Sequence, residues 1–238
     1  MKNKLPPFLV VSDLDDTLKI SHTTNRLRLV FRGLFTQQTY AGMAELFQEW
    51  TGDRPFILLS SSPIWIRKKI ARFLDYYGFP EREIWLRDWI KEKDIKGFKS
   101  AALDKIEARG DSGFIFIGDD AEYDPEVFAR FRERNPDRTL AIYIRRMRGR
   151  PLPAGVIPFH SAFEIAISEL DAGRLNVSSV TRVGKAIIDE RVPEQVIPYF
   201  AAPPIDLEFS DRFPTLEKII EGLNLQYEKI RLGRKIRK

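Results

Sequence analysis

Apolar residues along this chain fall into two kinds of run that alternate. Four runs are short and almost unbroken: Phe8 to Ser12, Phe56 to Ser60, Phe114 to Ile117 and Leu140 to Ile144. Such runs are the mark of strands buried on both faces. Glu83 to Leu86 and Val156 to Phe159 are weaker candidates of the same kind. Between them lie longer stretches with helical patterning: Gly42 to Trp50, Pro63 to about Tyr77, Lys99 to Ala108 with Gly110 as a stop, Pro125 to Arg134 and Ala162 to Leu170. The alternation predicts an α/β fold, a doubly wound, Rossmann-like and mostly parallel sheet with helices on both faces. In open sheets of this type ligands bind beyond the C-terminal ends of the strands, so the residues just after each strand are where chemistry is expected.

The pattern changes after Asp171. Asn176 to Arg191 reads as a helix, Pro193, Pro198, Pro203, Pro204 and Pro214 interrupt regular structure, and Thr215 to Arg231 reads as a last helix. Its apolar residues Leu216, Ile219, Ile220, Leu223, Tyr227 and Ile230 share one narrow stripe. The expected organisation is a catalytic domain over 1–172 and a helical extension over 173–238 packed on it. The alternative for the stripe is an interfacial helix lying on acidic lipid through its basic end.

Composition narrows the function classes. The chain has no cysteine, which excludes disulfides, thiolate catalysis and cysteine-based zinc sites, and its two histidines argue against a histidine metal site or a triad. No apolar run approaches the roughly 20 residues of a membrane span, and Met1 to Pro7 lacks the apolar segment of a secretory signal. A cytoplasmic location is expected, with peripheral attachment to membranes left open. The net charge of +5 is local, because Lys229 to Lys238 holds six cations and no acid. Arg145, Arg146, Arg148 and Arg150 form a second cluster. Such clusters can hold phosphates, anionic membranes or nucleic acid; nucleic acid through the tail is the less favoured of these.

Four segments at strand ends or helix starts carry the candidate chemistry. The first strand runs into Ser12-Asp13-Leu14-Asp15-Asp16-Thr17. In extended backbone Asp13 and Asp15 project to one side. Close carboxylates repel, so a bound cation is their natural neutraliser. One carboxylate can attack phosphorus and a second, two residues on, can protonate the leaving oxygen and later activate water. The second strand ends in Ser60-Ser61-Ser62-Pro63, where Ser62 reads as a helix cap, and Ser60 with Ser61 as phosphate-binding residues at a helix N-terminus. Lys99 is expected to open a helix and balance negative charge, with Lys91, Lys93 and Lys96 as competitors that composition does not separate. The fourth segment is Gly118-Asp119-Asp120-Ala121-Glu122-Tyr123-Asp124-Pro125-Glu126. There Gly118 allows close approach of a ligand, Asp119 offers a magnesium ligand, and Asp124 is either a helix cap or a metal-site residue. The candidate metal set is Asp13, Asp15, Asp119, Asp120 and Asp124, with Mg2+ as the cofactor.

Taken together, these segments resemble the four motifs of the haloacid dehalogenase superfamily: Asp-x-Asp, Ser or Thr, Lys, and Gly-Asp. A closer resemblance lies in Asp13 to Lys19, Gly42-Met43-Ala44-Glu45-Leu46, Ser60 to Pro63, Leu86-Arg87-Asp88, Gly118-Asp119 with Asp124-Pro125-Glu126, and Ile142 to Arg145. Over residues 8 to 172 these resemble the catalytic domain of the actin-patch-associated phosphatidate phosphatases. The resemblance implies hydrolysis of phosphatidate with magnesium, Asp13 as nucleophile, Asp15 as acid/base, Asp119 as metal ligand with the Asp15 carbonyl, and Lys99 as the family lysine. The chain departs from the family pattern at Asp120-Ala121, where Ser-Gly is usual, and at Ile64, which separates Pro63 from Trp65. The first departure leaves Asp120 and Asp124 as alternatives for completing the metal site.

The insert between Thr17 and Gly42 is too short for a folded cap domain. A minimal cap and an open pocket are therefore expected, suited to a phosphomonoester carried by a lipid at an anionic membrane surface. Arg26, Arg28, Arg32, Leu34 and Phe35 offer a basic and apolar lip. Phosphatases of phosphoproteins or nucleic-acid ends, and a catalytically idle phosphate-binding or membrane scaffold, are the alternatives.

Overall fold

Each short apolar run becomes a strand of one six-stranded sheet in the order β3-β2-β1-β4-β5-β6. The computed structural model describes residues 8–20, 38–52, 54–110, 112–197 and 211–236. The strands are β1 (Phe8–Ser12), β2 (Phe56–Pro63), β3 (Arg82–Arg87), β4 (Gly113–Asp119), β5 (Thr139–Arg145) and β6 (Ile157–Phe159). The helices are α1 (Met43–Thr51), α2 (Arg67–Tyr76), α3 (Ile95–Glu107), α4 (Asp124–Arg134), α5 (Ala162–Asp171), α6 (Val177–Asp189), α7 (Pro193–Val196) and α8 (Glu217–Ile236). The pairs β3-β2, β2-β1, β1-β4 and β4-β5 are parallel. β1 is central. It pairs Val11 with Ile57 on one side and Phe8 to Ser12 with Gly113 to Ile117 on the other. The chain leaves β1 for β2 on one side and later returns to β4 on the opposite side. The end of β1 is therefore the topological switch point, where sheets of this order open a crevice.

The chain divides into two compact units, residues 1–39 with 51–158 and residues 40–50 with 159–238. By compactness the chain thus divides near residue 158. In the first unit, the α3 and α4 side of the sheet buries Val11, Ile57, Leu59, Phe116, Ile142 and Ile144 with Phe98, Leu103, Phe128 and Phe131. Neighbours on the opposite side of the same strands, Val10, Leu58, Ile115, Ile117 and Tyr143, are buried as well. Unbroken apolar strands are thus what this sheet requires.

In the second unit, Asn176 caps α6 by accepting from the Ser179 N–H at 3.0 Å. The buried Glu169 accepts from Trp50 Nε1 at 3.0 Å and pairs with Arg174 at 2.6 Å. The apolar stripe of the last helix lies inside this unit, with Leu216, Ile220, Leu223 and Tyr227 fully buried. A stripe so occupied does not lie on lipid. The lip residues Arg26, Arg28, Arg32, Leu34 and Phe35, with Pro198, Pro203, Pro204 and the end of the basic tail, are outside the described residues.

Two element starts differ from expectation. β2 runs on through the serines to Pro63, with a register shift between Ser60 and Pro63, and α2 begins at Arg67 only after a 3-10 turn over Ile64–Ile66. Ser62 is therefore extended backbone and caps no helix. α3 begins at Ile95, where Asp94 accepts from the Lys96 N–H at 3.0 Å, so Lys99 sits in its second turn instead of opening it.

The aromatic centre of the first unit is a stability anchor. Phe116 is fully buried, with its ring centroid 4.8 Å from Phe128, 5.0 Å from Phe131 and 5.8 Å from Phe114. Phe116→Ala is expected to lower the unfolding free energy by about 3–5 kcal/mol in urea titration. A loss below about 1 kcal/mol would show that this cluster collapses around the void at little cost.

Candidate active site

The site starts where β1 stops. The Asp13 N–H donates to the Ile117 carbonyl at 2.9 Å, which extends the ladder with β4 by one residue. Alternation places Asp13 on the side of Val11, toward α3 and α4. The chain then turns sharply. Leu18 and Lys19 donate to the Leu14 carbonyl, and Asp16 N–H donates to the Lys19 carbonyl at 2.7 Å. Asp16 takes a φ of 54°, a left-handed conformation that aspartate tolerates better than most residues. Arg145, fully buried at the end of β5, donates from Nη2 to the Thr17 carbonyl at 3.0 Å and holds the turn.

Lys99 reaches this turn from α3. Its Nζ donates to Asp13 Oδ1 at 2.7 Å and to Asp124 Oδ1. All three side chains are buried. The lysines that composition does not separate differ in depth. Lys91 is exposed beside Asp88, and Lys96 lies over the Tyr123 ring, whereas Lys99 is the one enclosed with Asp13. Asp124 is the first residue of α4 and caps nothing, since its carboxylate turns inward to Lys99. Gly118 makes this possible. A Cβ there would stand 2.5 Å from the Asp124 Cβ and 2.6 Å from its Oδ2. The glycine is thus needed for the approach of a protein carboxylate.

Asp119, the last residue of β4, completes a cluster with Asp13 and Asp124 whose ligand oxygens all lie within 4.8 Å of one another. Its Oδ1 also accepts from the Ala121 N–H at 2.5 Å. Asp120 stands apart from that cluster. Its carboxylate accepts from the backbone N–H groups of Met147 at 2.7 Å, Arg148 at 2.6 Å and Gly149 at 2.9 Å, and lies 3.3 Å from Arg146. It organises the loop after β5. Of the two alternatives, Asp124 is the one beside Asp119.

Asp15 is also outside the three-acid cluster. Its Oδ2 accepts from Ser62 Oγ at 3.0 Å, and its Oδ1 is 3.8 Å from Lys19 Nζ. Its side chain keeps 31% exposure where that of Asp13 keeps 4%. Ser60 Oγ accepts from the Ser62 N–H at 3.1 Å, and Ser61 Oγ donates to Glu122 at 3.3 Å. Sequence reasoning missed Ser62 and Lys19 as partners of Asp15. Lys19 had a readable signal, a cation four residues beyond that acid; Ser62 was hidden by its reading as a helix cap.

Comparison with known proteins bears on this same region. The family model described as the catalytic domain of the phosphatidate phosphatase APP1 matches residues 8–146. The chain belongs to that family. The match contains Asp13, Asp15, Ser60, Lys99, Asp119 and Asp124 and stops one residue past the buried Arg145. Among curated proteins, the phosphatidate phosphatase APP1 of Saccharomyces cerevisiae is 27% identical over 158 residues, 60% of this chain and 27% of that protein. An uncharacterized protein of Schizosaccharomyces pombe is 27% identical over 148 residues, 57% of this chain and 24% of that protein. The matched part thus spans about a quarter of the length of these relatives. No solved structure matches the chain.

The electrostatics of this family site follow from burial. Burial pushes the Asp13 carboxyl up to about 7; Lys99 pulls it down, while Asp124 and Asp15 push it further up. Burial also holds Asp119 well above the usual carboxylate range, aided by Asp124, Asp13 and Asp16 against the pull of Lys99. For Lys99, burial opposes the charge, but Asp124 and Asp13 outweigh it and raise the ammonium above its usual range. For Lys19, burial lowers the ammonium against the pull of Asp15 and Asp16, and Lys69 adds to the lowering. Three acids around one ammonium leave negative charge in excess, and Asp124 Oδ2 is buried with no hydrogen-bond partner. Both features fit a small, hard divalent cation that prefers carboxylate oxygens.

The raised Asp13 value fixes a pH dependence. Between its unfolded value of 3.8 and its folded value of about 7, the folded chain keeps a proton that the unfolded chain has lost. Stability of the metal-free protein therefore falls as pH rises through that window. Urea unfolding in EDTA at pH 5 and pH 8 is expected to give a smaller difference for Asp13→Asn than for wild type; equal differences would remove Asp13 from this role. Gly118→Ala is expected to cost about 1–3 kcal/mol by displacing Asp124, and an unchanged urea midpoint would mean that α4 shifts without strain.

Proposed function

We propose that the chain is a magnesium-dependent phosphomonoester hydrolase of the haloacid dehalogenase type, acting on a phospholipid such as phosphatidate. The observation that carries the reading is the buried Lys99 joining Asp13 and Asp124 at the C-terminal end of a parallel sheet, with Asp119 alongside. The family description and the name of the budding-yeast relative support the substrate class.

In this reading Asp13 is the nucleophile. A carboxylate oxygen attacks phosphorus in line, the P–O ester bond breaks, and the leaving alkoxide takes a proton from Asp15. Asp15 then takes a proton from water, whose oxygen attacks phosphorus. The bond from Asp13 to phosphorus breaks and inorganic phosphate is released. The partly exposed position of Asp15 beside Ser62 suits a group that exchanges protons with solvent and a leaving group, while the enclosed Asp13 suits a nucleophile shielded from water. Lys99 keeps Asp13 oriented and meets the charge of the phosphoryl group. Ser60, whose Oγ already accepts from the Ser62 N–H, donates its hydroxyl proton to a phosphoryl oxygen. Magnesium, held by Asp13, Asp119 and Asp124, would supply neutralisation of phosphate charge and of the surplus carboxylates.

Phosphate release from p-nitrophenyl phosphate and from phosphatidate in mixed micelles, with magnesium and with EDTA, tests this. Wild type is expected to turn over phosphatidate by preference and only with metal. Asp13→Asn is expected to lose at least about 10³-fold of the rate, as removal of a nucleophile does. Activity on the small ester alone would keep the chemistry and move the substrate to phosphoprotein or nucleic-acid ends; no release from either would sink the proposal.

A further inference from the structure

A cavity of about 550 Å3 opens beside Leu14 and Lys19 of the turn after β1, along the length of α2. Its floor is apolar: Leu14 and Ile70 are buried, and Phe73 and Tyr77 are partly so. Its rim joins aromatic rings to cations. Trp65 is 58% exposed and Tyr76 81% exposed, and exposed Lys68, Lys69 and Arg72 stand between them along the helix. The spacing 65, 69, 72, 76 places ring, cation, cation and ring on one face of the helical turns. Among the described residues Lys19 also lines it, and its ammonium is 3.8 Å from Asp15 Oδ1. The cavity thus reaches the proposed acid/base through Lys19. Its entrance begins two residues beyond Pro63, the end of the serine strand.

Volume, lining and charge point to one class of occupant. The size falls in the range of about 300–1,000 Å3 of sites for small molecules. The apolar floor matches hydrocarbon, and ordinary metabolite phosphates have nothing to place there. The cations at the mouth match a negatively charged head and raise the local concentration of anions. Aromatic rings with cations at a rim are the composition that works where an apolar body meets a wet, charged surface. We infer that this cavity receives the apolar body of a lipid phosphomonoester, chain against Leu14, Ile70, Phe73 and Tyr77, with its phosphate toward Asp13. The inference rests on the phosphatase reading for the position of the phosphate, and it assigns the choice of lipid over small esters to α2.

The test uses the full chain as wild type, Trp65→Ala and the double variant Lys68→Glu/Arg72→Glu, all changed at exposed positions. Each is assayed with magnesium on p-nitrophenyl phosphate, on a short-chain phosphatidate kept monomeric, and on long-chain phosphatidate in mixed micelles. In both variants kcat/KM for the two phosphatidates, taken relative to that for p-nitrophenyl phosphate, is expected to fall about tenfold. Unchanged ratios overturn the inference. A fall confined to micelles also overturns it, because that result makes α2 a bilayer contact and leaves no lipid in the cavity. If wild type cleaves none of the three esters, the phosphatase reading fails and the cavity is judged by binding alone. Phosphatidate with brominated chains is titrated into Asp13→Asn, and quenching that disappears on adding Trp65→Phe retains the cavity as a lipid site. Quenching that is absent, or unaffected by Trp65→Phe, removes it.

Discussion

The ammonium of Lys99 lies between the carboxylates of Asp13 and Asp124, and three elements meet at that point: the end of β1, the second turn of α3 and the first residue of α4. None of the three groups has access to water worth the name, so each depends on the others for its charge. Removing one member of such a buried set strands the rest. The same constraint orders the neighbourhood. Gly118 has no side chain because Asp124 must come in over it, and Pro125 follows as a residue that begins a helix without an N–H to satisfy. Asp119 then adds a third carboxylate that the single ammonium does not balance, and the excess is what makes a divalent cation the fitting guest.

Acids in close sequence have unlike duties because the backbone turns between them. Asp13 continues the sheet ladder and is shut in; Asp15, after the ladder has ended, faces Ser62 and Lys19 at the edge of solvent. The left-handed Asp16 and the grip of Arg145 on the Thr17 carbonyl keep the turn in that shape. Strain held in place by its surroundings is common where a chain must present a reactive group. Asp119 and Asp120 divide in the same way. One ends β4 within the carboxylate cluster, and the other gathers three backbone N–H groups of the loop after β5. Asp120 therefore serves loop construction.

The wall beyond Asp15 differs in kind from the carboxylate cluster. It is built of rings, hydrocarbon and lysine stems along α2, a helix whose start is delayed because the serine strand runs on to Pro63. That delay brings Ser62 to Asp15 and sets Trp65 at the rim. The partner of Asp15 and the rim residue Trp65 thus both lie at or just beyond the register shift between Ser60 and Pro63.

Much of this was legible in the chain itself. Continuous apolar runs such as Phe114 to Ile117 fix buried parallel strands, because only a strand covered on both faces tolerates that composition, and the polar residues after each run mark the site. Asp13, Asp119 and the two-residue spacing to Asp15 needed no more than that. What sequence left open were choices among equals, Lys99 against Lys91, Lys93 and Lys96 and Asp124 against Asp120, and it read Ser62 as a helix cap where the fold makes it a partner of Asp15. Local propensity is nearly the same for each alternative, and the deciding terms are burial and the position of groups some 25 to 86 residues away. The division of the chain near residue 158 was hidden for the same reason, since residues 40–50 cluster with a unit whose other part begins at residue 159. Sequence determined which residue types stand at the strand ends; tertiary structure decided which of them share a charge, because only the folded chain says which are kept from water together.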